Sequence, residues 1–352
     1  MNFSTNTPLD RPSQLFSICF LTALCACSSA KEGPSLVQGN ERSDASAPIM
    51  LDSHKTEAQI TKLVDTEVGT GFGQSIVGCT DIDGDGEADC AVASTRLTPA
   101  GASKVELVSL LNGRVFDSFL VGPGNPCHII QVPAAISTDG EPGLIATALG
   151  LLPGASRDSL RSAVTYIDLD KRGIRWQQML PGRMAGWGMG MCIVPATRFS
   201  PEGRAWLAIG ATFTPESERD FGAIGSMDLE SGVLKERDGA SSDSAVGRTV
   251  ALVSDADGDG EADLAIGCPD WFDPQQDEQD EPDLNPIGRV LIASSRDLSL
   301  IHEIRGSVPN GNLGNAIVAL PDRNGDGFDE IAIGSNLADH GMAFQGAVLI
   351  LS

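Results

Sequence analysis

Apolar residues in this chain come in short runs that are separated by turns rich in Gly, Asp and Asn. Runs this short, bounded by turn residues, are typical of β-strands. Three pairs of runs stand out because a nine-residue acidic loop joins the members of each pair. The runs before the loops are 75–79, 250–253 and 316–320, and the runs after them are 90–93, 264–267 and 331–334. The pattern predicts three β-hairpins with acidic turns.

The three acidic loops share one arrangement of oxygen-bearing side chains. They read Asp81-Ile-Asp-Gly-Asp-Gly-Glu-Ala-Asp89, Asp255-Ala-Asp-Gly-Asp-Gly-Glu-Ala-Asp263 and Asp322-Arg-Asn-Gly-Asp-Gly-Phe-Asp-Glu330. Side-chain oxygens recur at positions 1, 3, 5 and 9, and the backbone carbonyl at position 7 can add another donor. The glycines at positions 4 and 6 permit the positive φ that turns the carboxylates inward. Hard oxygen donors in this number suit calcium better than magnesium.

The sequence therefore predicts three calcium sites, one in each loop. The predicted ligands are Asp81, Asp83, Asp85, Glu87, Asp89, Asp255, Asp257, Asp259, Glu261, Asp263, Asp322, Asn324, Asp326, Phe328 and Glu330, with position 7 contributing its carbonyl. The alternative is a set of acidic, Gly-rich turns that hold no metal. An EF-hand is excluded, because position 12 is Val92, Ile266 or Ile333 where that motif needs Glu, and because strands flank the loops.

The hairpins belong to an internal repeat with a period of about 60 residues. Two copies without the metal ligands lie between the first and second acidic loops, at 139–146 and 203–210. Val105, Val164, Ile224, Val290 and Val348 recur with the same period in later strands. A third landmark precedes most of the loops: it reads Gly71-Phe-Gly, Gly186-Trp-Gly, Val246-Gly and Leu313-Gly.

Each repeat has room for four short strands, which is typical of a β-propeller blade. The predicted fold is all-β, a β-propeller of five four-stranded blades covering residues 57–352. The last repeat ends after its third strand, at 346–352. The run 58–64 supplies the missing strand, so the N-terminal strand is predicted to complete the last blade and close the ring. Closure would remove the exposed sheet edges.

The motifs together resemble a known family. Phe72-Gly73, the acidic loops and the segment Ile266-Gly-Cys-Pro269 are similar to the FG-GAP repeat of integrin α-subunit propellers and their bacterial relatives. The resemblance covers roughly 58–352 and is strongest in the first, fourth and fifth repeats. It implies structural calcium in the loops, on one face of the propeller. Propellers of this family commonly have seven blades, whereas this chain has room for five.

The N-terminus predicts export. Residues 15–26 form an apolar run that is too short to span a bilayer and has the length of a signal-peptide core. Leu24-Cys25-Ala26-Cys27 resembles the lipobox of bacterial lipoproteins, with Cys27 as the lipidated residue; cleavage after Ala30 is the alternative. Residues 1–26 are thus a predicted signal peptide and 27–56, rich in Ser, Gly and charged residues, a flexible tether. The predicted location is the bacterial cell envelope or the extracellular space.

Composition restricts the partners. The 352 residues carry a formal net charge of -24, with 48 acidic and 24 basic residues. Such a surface repels nucleic acid and anionic lipid, so we expect no nucleic-acid partner and membrane attachment through the lipid anchor alone. Five cysteines lie beyond residue 27, and Cys79 and Cys90 flank the first acidic loop. A disulfide across the hairpin is compatible with an exported protein, but cross-strand geometry is often unfavourable, so the pairing stays open. The others are expected to be buried thiols.

The connections between the second and third strands vary most, at 95–102, 148–161, 211–221 and 268–287. In the last of these, Trp271 and Phe272 precede a run of carboxylates. Two interpretations stay open here: a binding patch, or an acidic insertion with Trp271 packed on its own blade.

Catalytic motifs are not visible in the sequence. The four histidines (His54, His128, His302 and His340) are far apart, and neither a nucleophile elbow nor a phosphate-binding loop occurs. The predicted function is that of a calcium-binding, exported module for binding or adhesion, with a protein or glycan ligand and no catalytic residues. An exported hydrolase or lyase, or a purely structural surface protein, is the alternative.

Overall fold

The computed structural model describes residues 71–95, 102–123, 127–137, 139–151, 160–180, 185–196, 203–213, 222–238, 245–273, 286–338 and 346–352. The predicted signal peptide, Cys27, the tether and the predicted closing strand 58–64 lie outside these ranges. So do His54, His340 and the acidic residues 274–285. Within the described ranges all regular structure is β, and no helix is long and apolar enough to cross a membrane.

In the described ranges, nineteen strands form five sheets in which consecutive strands are antiparallel neighbours. Sheet 1 contains β1 (Ser75–Cys79), β2 (Asp89–Thr95), β3 (Ala102–Ser109) and β4 (Val115–Pro123). Sheet 2 contains β5 (Cys127–Val132), β6 (Gly143–Leu151), β7 (Leu160–Asp168) and β8 (Gly173–Leu180). Sheet 3 contains β9 (Ala185–Val194), β10 (Trp206–Phe213), β11 (Ala223–Asp228) and β12 (Leu234–Asp238). Sheet 4 contains β13 (Thr249–Val253), β14 (Asp263–Cys268), β15 (Arg289–Ala293) and β16 (Leu300–Arg305). Sheet 5 contains β17 (Leu313–Leu320), β18 (Glu330–Ser335) and β19 (Ala347–Leu351).

The predicted all-β class and the four-strand repeat are confirmed for the described residues. Both repeats without metal ligands form their own sheets, with the predicted loops between β5 and β6 and between β9 and β10. The succession of meanders is β-propeller-like. Sheet 5 has three strands among the described residues, as its sequence predicts. The number of blades and their closure by 58–64 stay predictions.

The described residues fall into two compact units, with sheets 1 and 2 in one and sheets 3, 4 and 5 in the other. In the first unit, alternate residues of sheet 1, such as Leu107 and Val121, pack against Leu144 and Ile167 of sheet 2. In the second unit, Trp206 of sheet 3 packs in one cluster with Leu264 and Ile266 of sheet 4. A further cluster joins sheet 4 to sheet 5 through Val290, Ile292 and Ile333. In sheet 4, residues that alternate along β14 and β15 therefore pack against two neighbouring sheets, one on each face.

Paired glycines explain the landmark that precedes acidic loops 4 and 5, at Val246-Gly and Leu313-Gly. Gly247 and Gly314 have φ of 82° and 94°, a conformation that favours glycine. A Cβ placed on Gly210 of β10 would lie 2.0 Å from the Gly247 carbonyl oxygen, and one on Gly267 of β14 would lie 2.1 Å from the Gly314 carbonyl oxygen. Successive sheets of this unit therefore touch backbone to backbone at these points, where a side chain has no room.

Cys79 and Cys90 do not form the disulfide that the sequence left open. Cys79 pairs with Asp89 in the β1–β2 ladder, so Cys90, the next residue, points to the opposite face of the sheet. The two side chains accordingly belong to different buried clusters, and both thiols are free. Cysteines that flank a hairpin loop can be joined only when their Cβ atoms face each other, and this register prevents it.

The interpretation of Trp271 and Phe272 as an exposed binding patch is also wrong. Trp271 is 2% exposed and packs in the cluster shared by sheets 3 and 4, and Phe272 is buried as well. Two guanidinium groups lie against the indole ring: the Cζ of Arg289 is 4.9 Å and that of Arg305 5.2 Å from its centroid. Glu303 forms ion pairs with both arginines, at 2.7 Å and 3.0 Å. The indole thus anchors the start of the β14–β15 connection.

Candidate metal centre

The three acidic loops join the first and second strands of their sheets, and we number them after the sheets. Acidic loop 1 is 81–89, acidic loop 4 is 255–263 and acidic loop 5 is 322–330. All six glycines at positions 4 and 6 adopt positive φ, from 80° at Gly258 to 94° at Gly86. The carboxylate at position 1 caps this turn: in acidic loop 1, Asp81 accepts hydrogen bonds from the amides of Gly84 (2.7 Å) and Gly86 (2.9 Å).

Acidic loop 1 brings three of its predicted ligands together. One carboxylate oxygen each from Asp81, Asp83 and Asp89 lies within 4.8 Å of the other two. Asp89, the first residue of β2, has 0% exposure, and its Oδ2 accepts from the amides of Ile82 (2.6 Å) and Asp83 (3.2 Å). Its Oδ1 is buried without a hydrogen-bond partner. A buried carboxylate oxygen that nothing satisfies is costly, and a cation at the cluster would offset that cost.

Acidic loop 4 repeats this arrangement with Asp255, Asp257 and Asp263, whose oxygens again lie within 4.8 Å of one another. Asp263 is buried, and accepts from the amides of Ala256 (2.8 Å) and Ser295 (3.2 Å). Burial, reinforced by the negative charges of Asp257 and Asp255, raises the pKa of Asp263 above its usual value. This carboxylate is therefore destabilised in its charged form unless a cation neutralises it.

At position 1 of acidic loops 4 and 5, hydrogen bonds from the turn have the opposite effect and lower the pKa of the carboxyl group. The amides of Gly260, Gly258 and Asp259 lower the pKa of Asp255, with burial opposing them, and the amides of Gly325 and Gly327 do the same for Asp322. The turn amides thus favour the charged form of Asp255 and Asp322, whereas burial disfavours the charged form of Asp263.

In acidic loop 1, the predicted ligand at position 5, Asp85, does not join the carboxylate cluster. Asp85 Oδ1 accepts a hydrogen bond from the amide of Glu87, and Asp85 Oδ2 accepts from the Ser109 hydroxyl at 2.8 Å. These bonds lower the pKa of Asp85. The position 7 residue Glu87 is exposed and Glu261 is half-buried. Asp259 of acidic loop 4 accepts from the Glu261 amide at 2.9 Å in the same way.

Acidic loop 5 is not assembled into such a cluster. Asn324 donates its amide to Asp326 Oδ2 (2.9 Å) and to the Ser352 hydroxyl, so position 3 is engaged inside the protein. Residues 321–329 are all exposed, and Phe328 at position 7 is 55% exposed. Glu330 at position 9 is buried and accepts from the Arg323 amide at 2.9 Å. The third predicted site thus has the scaffold of the other two with fewer carboxylates turned inward.

Sequence reasoning missed the residues that hold the loops from outside. Arg172, in the β7–β8 turn of sheet 2, donates to the Ile82 carbonyl at 2.6 Å, and Arg114 lies 3.9 Å from the Asp83 carboxylate. Ser254 precedes acidic loop 4 and accepts from the amide of Asp329 in acidic loop 5 at 2.8 Å. Only the recurring serine at the end of the third strand or directly after it, at 109, 294 and 352, is visible as a pattern in the sequence.

The donor set fits calcium. Each of acidic loops 1 and 4 offers only hard oxygen ligands, clustered carboxylates and a scaffold of positive-φ glycines. His128, on β5, and His302, on β16, are separated from these loops in sequence and share no cluster with them. The arrangement can bind a divalent cation through its clustered carboxylates.

No protein-family model and no curated protein sequence matches the chain. Several solved structures are similar to this chain, among them two enzymes. Rhamnogalacturonan lyase YesW matches with a TM-score of 0.43 and 11% identity, over 78% of this chain and 49% of the lyase. A Glu150Asp mutant of the Synechocystis apocarotenoid oxygenase matches with a TM-score of 0.41 and 13% identity, over 74% and 55%. This chain spans about half the length of either enzyme, and a likeness this weak carries no argument about chemistry.

Proposed function

We propose that this chain is an exported, calcium-binding β-propeller of the FG-GAP type that serves as a binding or adhesion module. The observation that carries the proposal is the pair of carboxylate clusters in acidic loops 1 and 4, each built around a buried aspartate at position 9. Calcium, when bound, supplies positive charge to these clusters. The proposed partner is a protein or glycan, and the proposed location is the cell envelope, with Cys27 as a lipid anchor.

The role we propose for calcium is structural. Asp89 connects the acidic loop to the start of β2 through its hydrogen bonds to Ile82 and Asp83, and Asp263 does so in acidic loop 4 through Ala256. Neutralising the carboxylates removes the repulsion that opposes this closed turn. The ordered sheets then present the face opposite the acidic loops to the partner. We place the partner on that face, since loops on a rigid scaffold usually carry recognition.

The same proposal assigns the run 58–64 to the open edge of sheet 5. β19 pairs with β18, and Val348 and Ile350 are 45% and 61% exposed. Every other sheet places a fourth strand beside the equivalent third strand. A strand added there would give sheet 5 four strands and give a five-bladed ring.

Calcium titration followed by calorimetry tests the metal assignment. We expect two tighter sites, from acidic loops 1 and 4, and a third, weaker site from acidic loop 5, with magnesium much weaker at all three. The double variant Asp89→Asn/Asp263→Asn should lose the two tighter sites and keep the weaker one. Absence of calcium binding, or equal binding by the double variant, would overturn the assignment.

Acidic loops 4 and 5 are expected to bind calcium cooperatively. The Asp329 amide donates to Ser254 Oγ, directly before the first ligand of acidic loop 4, so each loop orders the other. Ser254→Ala should weaken the third calcium-binding step about fivefold, the worth of one net hydrogen bond. The titration above measures it, with Ser118→Ala on the exposed face of β4 as the control. An unchanged third step in Ser254→Ala would contradict the coupling.

Thiol labelling should report the closing of acidic loop 1. Burial, with the nearby Cys90 and Asp89 adding to it, raises the pKa of Cys79 to about 12, so its thiol stays protonated at neutral pH. In calcium we expect Cys79 to be almost unreactive toward maleimide, and excess chelator should speed its labelling by about tenfold or more by opening the turn. Mass spectrometry of the labelled peptides measures this, and buried Cys268, at the far end of β14 from acidic loop 4, is the internal control. Equal rates for Cys79 in calcium and chelator would show that acidic loop 1 closes without metal.

A further inference from the structure

Sheets 2 and 3 lack an acidic loop, and in both a carboxylate lies one strand further along the chain. In sheet 1, Asp89 at the start of β2 pairs with Ser109 at the end of β3. The matching pairs are Gly143 with Asp168 in sheet 2 and Trp206 with Asp228 in sheet 3. The aspartate therefore stands at the start of the second strand in sheet 1 and at the end of the third strand in sheets 2 and 3.

The residue at this third-strand position divides the sheets into two groups. It is a serine in the sheets with an acidic loop: Ser109, Ser294 directly after β15, and Ser352 directly after β19. It is an aspartate, Asp168 or Asp228, in the sheets without one. None of the five described sheets has both a carboxylate at the start of its second strand and an aspartate at the end of its third strand. This indicates that the two arrangements have the same role at that end of the sheet.

In sheet 2 the charge that balances this aspartate comes from the chain itself. Asp168 is 4% exposed and accepts from the Lys171 backbone amide and from Lys171 Nζ, both at 2.8 Å. Lys171 Nζ also lies 3.7 Å from Asp139, in the β5–β6 loop, and Arg175 Nη1 lies 2.9 Å from the same carboxylate oxygen. Lys171 thus bridges the loop before β6 and the end of β7, and Arg175, on β8, pairs with the same loop carboxylate.

The space that Asp89 fills in sheet 1 is taken by Tyr166 in sheet 2. A Cβ on Gly143 would lie 2.6 Å from the Tyr166 hydroxyl oxygen, so a carboxylate side chain at this position would require the tyrosine ring to move. The Tyr166 hydroxyl also lies 3.4 Å from Ser137 Oγ, and the Arg175 guanidinium lies over the tyrosine ring, 5.3 Å from its centroid. Aromatic packing and fixed cations occupy the volume in which sheet 1 clusters its carboxylates.

In sheet 3, other residues of the chain likewise stabilise the aspartate at the end of the third strand. Asp228 accepts from the amide and hydroxyl of Ser231, at 2.7 Å and 2.6 Å, and Arg204 forms an ion pair with Glu230 in the same turn. Burial opposes the charge of Asp228, but the bonds from Ser231 and the charges of Arg204 and Lys235 outweigh it and lower its pKa.

We infer that sheets 2 and 3 carry built-in cations, with Lys171 and Arg175 in sheet 2 and Arg204 in sheet 3 holding the strand ends that calcium is proposed to hold in sheets 1, 4 and 5. The sheets then have two kinds of turn at this end: acidic loops that depend on metal, and turns that side-chain cations hold. Removal of divalent metal loosens the acidic loops and leaves the turns of sheets 2 and 3 closed. The clamp of sheet 2 stands on its own contacts and does not require that the acidic loops bind calcium.

Hydrogen exchange of the full chain, resolved by peptide, tests this inference in calcium and in chelator. In the native protein, amides of 135–143 and 168–174 should exchange equally in both conditions. The variant Lys171→Met/Arg175→Met should speed their exchange about fivefold in both, a modest change because partly exposed ion pairs hold a turn weakly. Asp170→Asn, an exposed carboxylate of the same turn, is the control and should change nothing.

Two results would overturn the inference: native exchange at 135–143 and 168–174 that rises in chelator, or a double variant that exchanges like the native protein. A different result, unchanged exchange of 81–89 and 255–263 in chelator, would sink the proposed calcium sites and leave the clamp of sheet 2 standing. The two ideas therefore fail separately.

Discussion

Asp89→Ala is expected to lower the free energy of unfolding by about 2–4 kcal/mol even when calcium is absent. The carboxylate is fully buried and accepts from two backbone amides of acidic loop 1, so alanine leaves both amides without a partner and a small cavity beside β2. In calcium the loss should be larger, because a ligand of the cluster disappears as well. Urea unfolding in calcium and in chelator measures both parts.

Asp89→Asn separates the metal term from the hydrogen bonds. Asparagine keeps a side-chain oxygen for the amides of Ile82 and Asp83 but lacks the negative charge. The stability of this variant in chelator should equal that of the native chain or exceed it slightly, since carboxylate repulsion is relieved. In calcium it should lose about 2.7 kcal/mol, the linkage term at a hundredfold excess of metal over the dissociation constant. Equal stabilities of the Asp89→Asn variant and the native chain in calcium would refute the role of this cluster as a calcium site.

Gly210→Ala is expected to destabilise the unit of sheets 3, 4 and 5 by about 3 kcal/mol or more. The new methyl group would lie 2.0 Å from the Gly247 carbonyl oxygen and 2.6 Å from its Cα, and both of these are backbone atoms that no rotamer change can move. The contact between β10 and the start of sheet 4 would have to open. Urea denaturation of the variant measures the loss.

Gly78→Ala is the matched control for this substitution. Gly78 is also a strand glycine, on β1, but a Cβ there meets nothing within 4 Å and its φ is not positive. We expect its stability to stay within about 1 kcal/mol of the native value. If Gly210→Ala proved as stable as Gly78→Ala, the backbone contact between successive sheets would not be a constraint on the sequence.

Local sequence patterns were enough to predict the strands and their order along the chain. The apolar runs around the acidic loops match β1, β2, β13, β14, β17 and β18 within one to three residues, because short period-two runs bounded by Gly and Asp have few other structures open to them. The repeat spacing also located sheets 2 and 3, although their metal ligands are missing. The glycine landmark was visible, but its cause, a carbonyl packed on the glycine of another sheet, is a tertiary contact that no local pattern encodes.

The site was predictable in outline and not in detail. Positions 1, 3 and 9 converge in acidic loops 1 and 4 because the glycine turn determines where those side chains point. Asp85 instead bonds to Ser109, and Asn324 turns to Asp326 and Ser352, because residues from the third strand compete for them. The failure of the Cys79–Cys90 disulfide came from register: spacing across a hairpin says nothing about which face each thiol takes.

A thermal melt of the full chain in calcium and then in excess chelator tests the central claim most directly. If calcium binds the folded acidic loops, chelator should lower the midpoint by roughly 10 °C, the effect of several kcal/mol of linked binding energy. Returning calcium should restore the midpoint, and magnesium should restore much less of it. A midpoint that is the same in calcium and chelator would show that the acidic loops close as metal-free turns.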